Sequence, residues 1–73
     1  MNMKYLVVVE KGEKGYGAYV PDLPGCIAAA ASREEVVTLI QEAIEFHIEG
    51  MKKTGDPVPE PTSGCELIDI HAA

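Results

Sequence analysis

The side chains of this 73-residue chain that could do chemistry are few and scattered. Two thiols, Cys26 and Cys65, and two imidazoles, His47 and His71, are the nucleophiles, bases and soft ligands on offer. A working cysteine needs a base beside it and a depressed pKa, and no such partner for Cys26 is visible in the sequence around it, "AYVPDLPGCIAA". Zinc sites announce themselves by short paired spacings of Cys and His; positions 26, 47, 65 and 71 have none. Glu42, Glu45 and Glu49 recur at helical spacing, which describes one solvated face better than carboxylates converging on two metal ions. His47 falls within an apolar helical stripe, where a packed, hydrogen-bonded histidine is the commoner occupant than a ligand or base. The sequence therefore leads to no catalytic residue, no metal site and no cofactor, and to a protein that is not an enzyme.

The run Pro21, Asp22, Leu23, Pro24, Gly25, Cys26 has its own structural explanation. Pro21 has no N–H for a ladder and ends a strand. Leu23-Pro24-Gly25-Cys26 has the form of a type II turn, with proline presetting φ at the second position and glycine supplying positive φ at the third. Asp22 is expected to accept backbone N–H groups within the loop.

Around that turn the chain divides into elements. "YLVVVE" predicts a first strand over Lys4–Glu10, with Tyr5, Val7 and Val9 on one face and Leu6 and Val8 on the other. Residues 11–15 read as a glycine-rich hairpin loop, Tyr16–Val20 as a second strand, and Cys26–Ala31 as a third whose alanines let another element approach closely. "SREE" is a capping box at Ser32 and Glu35, opening a helix over Arg33–Lys53 that stops at Gly55 before Pro57. At about 100° per residue, Val36, Val37, Ile40, Ala43, Ile44, Ile48 and Met51 share one face, and Leu39 and Phe46 lie on its flank. A Pro-rich connection leads to a short fourth strand over Glu66–Ile70. The expected architecture is one α+β domain, 1–73, of order β-β-β-α-β: a four-stranded mixed sheet, 3-2-1-4, with the helix on one face.

Composition bounds the partners. Six Lys and Arg stand against 12 Asp and Glu, a net charge of −6, which argues against direct DNA or RNA binding and suits a basic protein partner. No run is long enough to span a bilayer and no signal peptide is apparent, so a cytoplasmic protein with reduced cysteines is expected. Strand one is apolar on both faces, yet one helix covers only one of them. Something else must cover the second, and association is the usual recourse of so small a core.

Three segments, "YVPDLPGCIA", "SREEVVTLIQEAIEFHIEGMKKTGDPVPEP" and the final short strand, together resemble the N-terminal domain of HicB-like antitoxins, also grouped as UPF0150 proteins. The resemblance runs from about Tyr5 to Ile70, and its most specific parts are the turn at Pro21 to Cys26 and the Gly55–Pro61 run. It implies a partial RNase H-like fold and binding rather than catalysis: masking of a HicA-like toxin, a small basic mRNA-cleaving protein. The C-terminal DNA-binding segment that many members carry does not follow strand four here, so no direct DNA binding is expected. On this reading Glu42, Glu45 and Glu49 steer the basic partner, Tyr16 and Tyr19 are candidate anchors, and Leu39 and Phe46 are candidate contacts of a homodimer or homotetramer. The competing reading is a stand-alone oligomeric HicB-like scaffold with no toxin partner.

Overall fold

Pairing in the sheet is set by where the turns fall. A computed structural model describes residues 3–71, with elements in the order β1 (Val8–Lys11), β2 (Tyr16–Tyr19), β3 (Ile27–Ala30) and α1 (Arg33–Thr54). Strands β1, β2 and β3 form an antiparallel meander in that spatial order. Strand β1 is shorter than the sequence suggests: it starts at Val8, opposite Tyr19. Beyond Tyr19 the chain turns away into Val20 and Pro21, leaving residues 4–7 without a partner on that side.

The turn at the closed end of the sheet is built as expected. The Cys26 N–H donates to the Leu23 carbonyl at 3.0 Å, and Gly25 sits at φ 84°, the conformation only glycine adopts without strain. A second turn precedes it, with the Leu23 N–H on the Val20 carbonyl at 3.1 Å. The paired turns push the Leu23 side chain into the core, where it is completely covered.

Helix α1 begins at Ser32, whose hydroxyl accepts from the Glu35 N–H at 3.2 Å. The Glu35 carboxylate in turn accepts from that hydroxyl at 3.0 Å. Glu34 and Glu35 lie at the positive end of the helix dipole, Lys52 and Lys53 at the negative end. Gly55, at φ 80°, closes the helix: its N–H meets the Lys52 carbonyl, and the Asp56 N–H the Met51 carbonyl at 2.9 Å.

The core is small and one-sided. Ala18, Val20, Leu23, Cys26, Val36 and Ile40 are buried, and Tyr5, Val7, Val9, Tyr16, Ala28, Ala30, Ala43 and Ile44 pack around them. Burying a side chain such as Ile40 or Leu23 contributes about 1.5–3 kcal/mol. The helix rests most heavily on β3, less on β2 and least on β1. Ala28 and Ala30 are the cause, because their single methyls let the helix settle down on that side of the sheet.

The fourth strand expected at Glu66–Ile70 is not formed among the described residues. Residues 56–71 carry no regular structure, and every residue from Thr62 to His71 is exposed. Leu67, Ile68 and Ile70 stand in solvent at 100%, 75% and 79% exposure. The radius of gyration, 14.5 Å, exceeds the roughly 11 Å of a compact chain of this length. The sheet is thus three-stranded and antiparallel, with both β1 and β3 at open edges.

Candidate functional site

The residues of the Pro21–Cys26 turn do structural work, and one of them does so at long range. Asp22 does not accept within its own loop, as expected from sequence, but from the segment that returns after the helix. Its Oδ2 accepts the Ser63 N–H at 2.9 Å and the Thr62 N–H at 3.0 Å. Its Oδ1 accepts the Ser63 hydroxyl at 2.9 Å and the Thr62 hydroxyl at 3.2 Å. These bonds, led by the Ser63 N–H, hold the Asp22 carboxyl below its ordinary range against a smaller opposing effect of burial. A second tie lies nearby: the Tyr5 hydroxyl donates to the Pro59 carbonyl. Burial first, then the carboxylates of Asp22 and Glu60, raises the Tyr5 pKa, so the phenol stays a donor. Sequence reasoning missed Thr62 and Ser63. Their only local signal is a pair of hydroxyls after Pro61, and nothing local links them to an aspartate 40 residues earlier.

The groups considered for catalysis are dispersed. Cys26 is buried, and burial pushes its thiol pKa up, the wrong direction for a nucleophile. Cys65 is a free, exposed thiol on the tail. His47 is half-buried on α1 and His71 is exposed. Among the described residues no group of three or more His, Cys, Asp or Glu side chains could hold a metal ion. None of the described helices is long and apolar enough to cross a membrane.

Apart from the tail, the described residues present apolar surface in three places. On the sheet face away from α1, the register aligns Val8, Tyr19 and Ile27 in one cross-strand row; Tyr19 and Ile27 are 42% and 71% exposed. The sequence paired Tyr16 with Tyr19 as anchors, but the two part company. Tyr16 packs against the core from the helix side, so its ring is committed to packing, and Tyr19 is the one on the free face. Along the flank of α1, Leu39 and Phe46 are exposed, Phe46 almost fully. The third place is a groove of about 500 Å³ between β1 and α1, floored by Tyr5, Val7, Val9, Val37, Ile40 and Ile44. It exists because the helix leans toward β3 and leaves the β1 side uncovered. Glu42, Glu45 and Glu49 are all exposed, and Glu45 lies on the rim of the groove.

Comparison with known proteins places this fold in a family. The family described as HicB_like antitoxin of bacterial toxin-antitoxin system matches residues 5–71. A UPF0150 protein of Thermoplasma acidophilum is 39% identical over 71 residues, 96% of this chain and 100% of its own length. Antitoxin HicB 2 of Photorhabdus laumondii is 29% identical over 99% of this chain, which spans only 52% of that protein. One chain of a solved HicA3 and HicB3 toxin-antitoxin complex superposes with a TM-score of 0.70 at 30% identity, covering 82% of this chain and 70% of the other. With its helix, meander and turn motif all inside the matched region, the chain belongs to the HicB-like antitoxin family.

Proposed function

We propose that this protein is the antitoxin of a type II toxin–antitoxin pair, acting in the cytoplasm by binding and masking a basic HicA-type mRNA-cleaving toxin. The observation that carries the reading is the likeness to a chain of the HicA3 and HicB3 complex, joined to a net charge of −6 that suits a cationic partner. Masking requires surface rather than catalysis, and apolar, uncharged patches beside exposed carboxylates are what the molecule offers. Tyr19, flanked by Val8 and Ile27, is the contact centre, since aromatic anchors dominate interface energies. Glu42, Glu45 and Glu49 steer the toxin during approach. Leu39 and Phe46 serve contacts within a homodimer or homotetramer.

The test is co-expression with a neighbouring basic reading frame of HicA size. Restored growth and co-purification of the two chains support the antitoxin. Failure of both supports the stand-alone oligomeric scaffold, a reading favoured by the three apolar patches on so small a body. In the antitoxin case Tyr19→Ala weakens toxin binding by about 30-fold or more, the size of an interface hot spot. Charge reversal at Glu42, Glu45 and Glu49 slows association and flattens its salt dependence.

A further inference from the structure

The open edge of β1 and the free tail are complementary. The groove beneath β1 is apolar, lies beside an unpaired strand edge and is the size of a missing row of side chains. The tail, "CELIDI", has strand length and the right pattern: Ile68 and Ile70 alternate onto one face, Leu67 onto the other. Its exposure is otherwise costly, because three large aliphatic side chains stand in water and an unpaired strand invites uncontrolled association. Residues Pro59, Thr62 and Ser63 are tied down at Tyr5 and Asp22, so residues 64–71 leave the body from a fixed point and stand away from their own β1.

We propose that the tail is the fourth strand of a second copy: residues 65–70 of each chain add to the β1 edge of the other, in a reciprocal two-fold exchange. Ile68 and Ile70 enter the groove over Val37 and Ile44, and Leu67 lies beside Leu6 and Val8 on the opposite face. The added strand also pairs residues 4–7, which lack a partner from β2. Size favours a second copy. Each chain brings the eight residues 64–71 and the ten that line its groove, close to the roughly 20 residues a side of an interface burying about 1,200–2,000 Å². A two-fold exchange closes on itself, so it satisfies both edges without growing into a filament. This goes beyond toxin masking and does not depend on it, because it concerns the chain alone.

Two measurements test it on the full chain. Light scattering after size exclusion should give a dimer or tetramer for the native protein and half or less of that mass for Ile68→Asp/Ile70→Asp. Circular dichroism should keep the helical signal of α1 and lose only the strand contribution of the exchanged tail, since both positions are exposed in the single chain. A monomeric native protein, or an unchanged mass in the double variant, overturns the exchange. The second uses the thiol already on the tail. In Lys4→Cys, oxidation should join position 4 to Cys65, and a mixture of light and isotopically heavy chains should yield the 4–65 peptide with one light and one heavy half. Linkage only within single chains means that each tail folds back on its own β1 and overturns the proposal; so does an assembled protein in which 4–65 linkage never forms.

Discussion

Two regions of this molecule hold similar residues and treat them oppositely. In the body, Leu23, Val36 and Ile40 are covered to within 2% of complete burial. In the tail, Leu67, Ile68 and Ile70 are open to solvent. Composition does not separate them; supporting geometry does. Ile40 shares a buried cluster with Leu23 beneath a sheet whose strands are paired, whereas Ile70 is 79% exposed on a segment without regular structure. Aliphatic side chains stabilise a fold only where other elements already stand, and in this chain the elements run out one strand early.

The sharpest way to break the contrast is to truncate both sides of it. Ile40→Ala and Leu23→Ala should each cost about 2–5 kcal/mol, a large share of the stability of so small a domain, read as a fall in the urea midpoint. Full-stability variants at these positions would mean that the body is not the packed unit described.

Much of the body was legible in the sequence because its signals are local. Ser32 and Glu35 lie one helical turn apart, Gly25 declares its positive φ two residues from the bond it enables, and the alternation of Tyr5, Val7 and Val9 needs only strand geometry. The tail was misread for the opposite reason. "CELIDI" has the composition and period of a strand, but a strand exists only where an edge accepts it, and that edge is outside the sequence window. Asp22 illustrates the same limit. Its carboxylate was expected to serve its own turn, and its real partners lie about 40 residues away. The division between Tyr16 and Tyr19 followed from alternation, while the choice of face that stays open depended on where the helix settled.

Local signals also set the next size of effect. Ser32→Ala removes the acceptor for the Glu35 N–H and the donor to its carboxylate, and should cost about 1 kcal/mol. Tyr5→Phe, which leaves the ring in place and deletes the bond to Pro59, should cost a similar amount, about 0.5–1.5 kcal/mol. Thermal or urea unfolding measures both. Their structural consequences differ: the first loosens the start of α1, the second the return segment, and hydrogen exchange resolves which amides open.

The tie at Asp22 gives the border between the two regions a pH dependence. Its carboxyl titrates lower in the folded protein than in the unfolded chain. The stabilisation is therefore present above the unfolded aspartate value of about 3.9, and is lost as pH falls through the lower, folded value. Amide exchange at Thr62 and Ser63, corrected for intrinsic rates, should show protection that disappears only on that acid side. Asp22→Asn should abolish the pH dependence, while the core amides of Ile40 and Ala18 stay protected.

The smallest effect is the most informative. Ile70→Ser, measured where the chain is dilute enough to be single, should leave unfolding within about 0.5 kcal/mol of the native value, as for an exposed side chain. Raising the protein concentration should then separate the two chains. Anything that binds only the folded state stabilises it by mass action, so native protein gains stability with concentration and the variant gains less. Leu23→Ala, buried away from the groove, should show the reverse pattern, a large loss at every concentration and a normal slope. A concentration-independent gap for Ile70→Ser would place that side chain in the body's own core. A gap that opens with concentration makes the tail a core residue of the assembly, lent by one chain to another.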